Sequence, residues 1–237
     1  MDFSLNSQLA TCVDAGMATA LPKPHKDRGM EGMVARWYAN NTGQSLAEFT
    51  KLAQRIARQV PSGSTVLEVA PGPGYFCIEL AKAGAYSITG LDISYTFVEI
   101  ARKKSEEAGV RADFRQGNAS CMPLAGDTFD FLLCRAAFKN FGQPVRALQE
   151  MCRVLKPGGR GLIIDLRKDA SVESINHEVD GMGLGPINKM LTKLTFRTML
   201  LKSAYTKEQF RYMLAEANFR SVDIQESGIG FEISMTK

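Results

Sequence analysis

Val66 to Phe76 reads VLEVAPGPGYF, a short apolar run entering a turn of glycine and proline and then the helical pattern of Tyr75 to Ala83. A buried parallel strand hands over to a helix in this way. Gly72 and Gly74 have no side chains to keep a ligand off the backbone, and the unpaired amides of the helix's first turn face whatever rests there. A second strand-like run, Tyr86 to Leu91, leads into Asp92. Its carboxylate would stand at the carboxyl edge of the adjacent strand, where it suits the two hydroxyls of a ribose. The chemistry these residues suit is the holding of a ribose-bearing ligand.

The elements needed to position that site can be read on either side of it. The first 28 residues are weakly patterned and end in Pro22-Lys-Pro-His-Lys-Asp-Arg28, an arm or linker whose prolines break helices. Met30, Met33, Val34, Trp37 and Tyr38 recur at helical spacing, and Ser45 with Glu48 makes a capping box for an amphipathic helix through Phe49, Ala53, Ile56 and Val60. Downstream, strand and helix alternate. Ser94 caps a helix ending at Gly109; Ala112 to Gln116 and Phe129 to Cys134 read as the third and fourth strands. A helix carrying Val145, Leu148, Met151, Cys152 and Leu155 stops at Pro157-Gly158-Gly159, and Leu162 to Ile164 makes the fifth strand. Such alternation implies a parallel sheet covered on both faces, with ligands at the carboxyl ends of the strands. Thr206 and Gln209 then cap a helix ended by Asn218, and a Gly228-Ile-Gly230 turn joins two last strands, Ser221 to Glu226 and Phe231 to Met235, in a hairpin.

Composition narrows the function classes. A chain of 237 residues, 45% hydrophobic and 23% charged, can bury a full core, and a net charge of +4 lacks the dense basic stripe of a nucleic-acid binder. Five scattered cysteines with no C-x-x-C pair indicate neither a disulfide framework nor a zinc site, so a reducing, cytoplasmic setting is expected. No apolar run reaches membrane-span length, and no secretion or transit signal opens the chain.

The glycine turn with its acid resembles motif I of the class I S-adenosylmethionine-dependent methyltransferases, an acidic residue followed by G-x-G-x-G. Here Glu68 is the acid, Ala70 takes the place of the first glycine, and Gly72 and Gly74 complete the pattern. A dinucleotide fingerprint would need a glycine where Cys77 stands, which weighs against a nicotinamide cofactor. Later landmarks follow in order. Gly117-Asn118-Ala119 resembles the family's G-D-A, Phe129-Asp130 its F-D, and LKPGGRGLIIDL from Leu155 to Leu166 its L-K-P-G-G turn into strand five. Closest in character is the branch containing the ubiquinone and menaquinone C-methyltransferases. The resemblance implies a Rossmann-like three-layer α/β sandwich with a mostly parallel seven-stranded sheet and an antiparallel C-terminal hairpin. It divides the chain into an arm, 1–28, and one methyltransferase domain, 29–237, with cap helices in 29–60 and a substrate lid in 167–205.

On that resemblance the cofactor is S-adenosylmethionine and the product S-adenosylhomocysteine. Asp92 would hold the ribose, Ile93 the adenine face, and Asn118 and Ala119 the adenine edge, with the Asn118 carbonyl oxygen as acceptor. Gly72 and Gly74 would make room for the methionine portion, while Glu68, Ala70 and Arg135 line its amino-acid end. For Glu68 a helix-dipole role without ligand contact is the other reading. On the resemblance Tyr38 or Arg36 touches the ligand; the other reading is that Trp37 and Tyr38 simply pack on the core. No nucleophile and no metal ligand set is identified, and no catalytic side chain is assigned; positioning and exclusion of water can supply the acceleration.

The lid decides the substrate. Val172, Ile175, Val179 and Met182 share one helical face, whereas His177 points away from it and Glu178 borders it. Ile187, Met190, Leu191, Leu194 and Leu201 make a second apolar face, so an adaptable lid over a mostly apolar small molecule, methylated at carbon or oxygen, is expected. The D/N-P-P-Y/F of DNA amino-methyltransferases is absent from Cys134-Arg-Ala-Ala-Phe138, and an arsenic methyltransferase would need more cysteines at the site. The alternative is a catalytically silent member that binds the cofactor or a partner.

Overall fold

The computed structural model describes residues 27, 29–42, 46–181, 185–196 and 201–237. Seven strands form one sheet in the order β3-β2-β1-β4-β5-β7-β6. They are β1 (Thr65–Val69), β2 (Ser87–Asp92), β3 (Asp113–Gln116), β4 (Phe129–Arg135), β5 (Leu155–Leu166), β6 (Ser221–Ser227) and β7 (Gly230–Thr236). The first five run parallel, and β7 lies antiparallel between β5 and β6. The chain reverses direction across the sheet between β1 and β4, so a crevice opens at their carboxyl ends.

Alternation along each central strand divides the core between two faces. Val66, Ile88, Phe131, Leu133 and Leu162 pack beneath α2 (Leu46–Ala57), α3 (Tyr75–Ala83) and α4 (Tyr95–Glu107). Leu67, Val69, Leu132, Cys134, Ile163, Phe231 and Ile233 pack beneath α5 (Pro144–Val154) and α9 (Lys207–Ala215). Three layers result, as the resemblance implied.

Helix ends follow the sequence signals. Ser94 Oγ accepts from Phe97 N at the start of α4, and Thr206 with Gln209 makes both bonds of its capping box at the start of α9. Asn218 takes the left-handed conformation at φ 58°. The Ser45 cap, the 1–26 part of the arm, Arg28, Met182 and Gly183 lie outside the described residues.

Several expectations need correction. α1 (Gly32–Thr42) buries Ala35 and Ala39, whereas Met33, Val34 and Trp37 are exposed, Trp37 by 67%. Core packing of Trp37 is therefore wrong: the small residues let α1 sit close, and the Tyr75 hydroxyl donates to Ala39 O at 2.8 Å. The fifth strand begins at Leu155, ahead of the proline and glycines that read as breakers. Gly158 N donates to Lys237 O and Lys237 N to Gly159 O, so the chain terminus pairs with the turn and keeps it in the sheet. After β5 the insertion holds α6 (Val172–Gly181), α7 (Pro186–Thr195) and one turn, α8 (Leu201–Ser203). Ile175, Val179 and Leu201 cluster with Ile229, while Val172, Met190, Leu191 and Leu194 are exposed.

Cys77, Cys134 and Cys152 are free thiols. Cys121 is disulfide-bonded, which overturns the expectation of a chain without disulfides.

Candidate functional site

A cavity of about 680 Å³ occupies the crevice, a size typical of small-molecule and cofactor sites. Glu68, Ala70, Gly72, Asp92, Ile93, Asn118, Ala119 and Arg135 line it, eight of the nine residues singled out from the sequence. Gly74 does not. A Cβ there would come within 2.8 Å of the Phe114 ring and 2.9 Å of Ala101 Cβ, so its missing side chain lets the turn pack on α4 and β3. Gly72 differs: its φ is 55° and a Cβ would meet nothing within 4 Å, which leaves its open side to a ligand.

Ala70 stands at φ 57°. Its N–H donates to Leu91 O at 2.7 Å, which fixes the left-handed turn out of β1 and explains why the family pattern has glycine there. A left-handed alanine costs about 1–2 kcal/mol. Ala136, the residue after β4, has the same φ and donates to Ile164 O at 2.7 Å. Both turns open toward the cavity.

Asp92 is 5% exposed, and its two oxygens accept from Gly72 N and Ser94 N, each at 2.9 Å. The carboxylate thus fastens the glycine turn to the first turn of α4, and each oxygen keeps a lone pair for a further donor. Burial pushes its pKa up, with the two backbone hydrogen bonds opposing that rise. Asp92→Ala should weaken nucleoside binding by about 1–3 kcal/mol, the loss when charged hydrogen bonds go unmade; calorimetry with S-adenosylhomocysteine measures it, and unchanged affinity removes Asp92 from the site.

Glu68 lies at the other end of the turn, 3% exposed. Burial drives its pKa up to about 7, although the Cys77 thiol donates to Oε2 at 2.9 Å and Arg135 is close enough to pull the value down. Arg135 is held over the Phe49 ring at 4.6 Å and pairs with Glu48 at 3.1 Å. Asn118 Oδ1 accepts from Ser120 N at 2.8 Å. The acceptor expected of Asn118 is therefore partly spent within its own loop, and its Nδ2 donors have no partner among the described residues.

Sequence reasoning missed the far side of the cavity, which Asp27, Gly29, Met30, Phe49, Asn140, Phe141, Lys202 and Ser203 help to line. Phe49 was legible only as a core position and Met30 only as part of a helical apolar stripe, while the others carry no motif. Tyr38 lines the cavity and meets Phe97 edge-on at 5.8 Å, whereas Arg36 is exposed and does not. His177 is exposed, as its helical phase implied, and so is Glu178. From the insertion, Lys202 and Ser203 line the cavity among the described residues.

The strand order, the switch-point crevice and the pinned acid define a Rossmann-like α/β fold with a ligand site at its switch point. Residues 67–163 match the family model described as a methyltransferase domain. The chain is 28% identical over 185 residues to the ubiquinone/menaquinone biosynthesis C-methyltransferase of Francisella philomiragia, covering 73% of each chain. It is 36% identical over 107 residues to the demethylmenaquinone methyltransferase of Deinococcus radiodurans, covering 45% of this chain and 44% of that one. A solved structure from Methanococcus maripaludis, described as an S-adenosyl-L-methionine-dependent methyltransferase, superposes with a TM-score of 0.68 at 24% identity, over 94% of this chain and 97% of that one. Over these spans the chain is similar to S-adenosylmethionine-dependent methyltransferases, and its fold is theirs. Among the described residues no helix is long and apolar enough to cross a membrane.

Proposed function

We propose that residues 29–237 act as one catalytic domain that moves a methyl group from S-adenosylmethionine to a mostly apolar small molecule, at carbon or oxygen. The observation that carries this reading is the pinned Asp92 carboxylate facing one cavity together with Gly72 and Glu68. The cofactor supplies a sulfonium-bound methyl group as its electrophile. Asp92 holds the ribose hydroxyls, Ile93 and Ala119 border the adenine, and Asn118 offers its amide donors to the ring. Gly72 and Ala70 leave space for the methionine portion, and Glu68 meets its ammonium group.

The acceptor half is bordered by the aromatic and aliphatic groups of Tyr38, Phe49, Phe141, Ala136 and Ala137, with Asp27, Asn140, Lys202 and Ser203 also lining the cavity. The aromatic and aliphatic walls support a mostly apolar acceptor. The names of the Francisella and Deinococcus relatives agree with methylation of a quinone precursor. With no side chain assigned to bond-making, this chain's contribution is to orient the acceptor and to exclude water.

Incubation with methyl-labelled S-adenosylmethionine and a panel of hydroxylated aromatic acceptors tests the reading. Label should pass into the organic phase in step with S-adenosylhomocysteine release. Transfer confined to water-soluble polar acceptors would contradict it.

A further inference from the structure

Residues Gly29 to Gly32 cross the edge of the cavity and are fastened to the loop between β2 and α4, the end of the crevice bounded by Asp92 and Ile93. Four observations fix them there. Glu31 Oε1 accepts from Tyr95 N at 3.0 Å, and Oε2 from Thr96 N at 3.0 Å and from the Thr96 hydroxyl. Gly32 N donates to Thr96 Oγ1 at 3.0 Å. Ser94 Oγ, which caps α4, also donates to Met30 O, while Ser94 N is held by Asp92. Gly29 lies so close to Ser94 that a Cβ would come within 2.9 Å of its Cα. Gly29 and Met30 both line the cavity. Asp27, which also lines it, accepts from Gly142 N at 2.8 Å, so the same stretch of chain touches both banks of the crevice.

We propose that Glu31 is a positioning residue for the cofactor: by occupying the first turn of α4 it holds Gly29 and Met30 as a wall against the nucleoside bound at Asp92. The proposal rests on the cofactor reading above. A charged clamp is well suited to this task because it fills amides that would otherwise be unpaired, and charge-assisted bonds are the stronger kind. Glu31 itself is largely solvent-facing, and its pKa is lowered by the Thr96 and Tyr95 hydrogen bonds despite some desolvation. The wall can therefore detach without exposing a buried charge, and the Ser94 hydrogen bonds tie its seating to the same loop that presents Asp92. Loss of the clamp should act on how long the ligand stays rather than on whether the domain folds.

Radiolabelled S-adenosylhomocysteine bound to the full chain gives the test, its escape followed by rapid filtration after isotope dilution. Glu31→Ala should raise the dissociation rate about tenfold, the scale of one hydrogen bond to a charged group. Glu31→Gln, which keeps one acceptor oxygen, should fall between. Gly29→Ala, which removes no charge and cannot seat against Ser94, should reproduce the faster escape. Hydrogen exchange at Tyr95 and Thr96 should be slowed by ligand in the wild type and not in Glu31→Ala. Dissociation rates within twofold of wild type for both Glu31→Ala and Gly29→Ala would overturn the proposal while leaving the cofactor reading intact. A wild-type protein that binds no S-adenosylhomocysteine would overturn both.

Discussion

Lys139→Ala should lower the unfolding free energy by about 3–5 kcal/mol, the cost of stranding a buried charge. The charge in question is Asp165, whose side chain is 1% exposed at the end of β5 and pairs with Lys139 Nζ at 3.0 Å. Asp165 Oδ2 also accepts from Lys139 N, and Oδ1 from Leu166 N. Lys139 Nζ donates in turn to Ala136 O at 2.6 Å, so the ammonium holds down the left-handed turn that carries Ala136 and Ala137 into the cavity. Domains of this kind have only about 5–15 kcal/mol in total, so the loss is a large share. Urea unfolding measures it. Lys139→Met combined with Asp165→Asn should lose less, because the charge goes with its partner and Asn keeps an acceptor for one of the two amides. A single variant as stable as wild type would show that the pair is not the fastening of this loop.

Glu68 should make the protein without cofactor lose stability as pH rises. Its carboxyl has a pKa near 7 in the fold, against an ordinary value of 4.5. The folded state therefore binds more protons than the unfolded one between those values. Its contribution is fully present below about pH 4.5 and is lost as pH passes through 7. Two and a half pH units correspond to about 3 kcal/mol. Glu68→Gln, which keeps an oxygen for the Cys77 thiol, should remove that slope and be more stable than wild type at pH 8 by about that amount. In exchange it should bind S-adenosylmethionine more weakly, since the ionised form has an ammonium to meet. Denaturant midpoints at pH 5 and pH 8 with and without cofactor measure both effects. Parallel pH profiles for the two proteins would mean that Glu68 is ionised throughout.

Much of the site was legible because its signals are local. An apolar strand, a glycine turn and a terminal acid each occupy a few consecutive residues, and their order along the chain gave the sheet. What spacing cannot tell is which side of a turn a missing Cβ faces. Gly72 and Gly74 look alike in sequence, yet one opens to the cavity and the other accommodates Phe114. Helical periodicity likewise marks a stripe without saying whether small residues opposite it make the closer packing. On α1, Ala35 and Ala39 do so, and Trp37 is left outside. The start of β5 was hidden for a different reason. Proline and two glycines predict a break, and only the distant C-terminal Lys237 supplies the hydrogen bonds that keep the strand going. Glu31 carried no motif at all; its role exists only once α4 is placed beside it.

The most direct measurement is a crystal structure with S-adenosylhomocysteine bound. The ribose hydroxyls should donate to Asp92, the adenine should lie beside Ile93, and the sulfur should point toward the wall of Phe49 and Phe141. A nucleoside seated elsewhere, or a cavity that stays closed around Asp92 at saturating ligand, would contradict the assignment of this crevice.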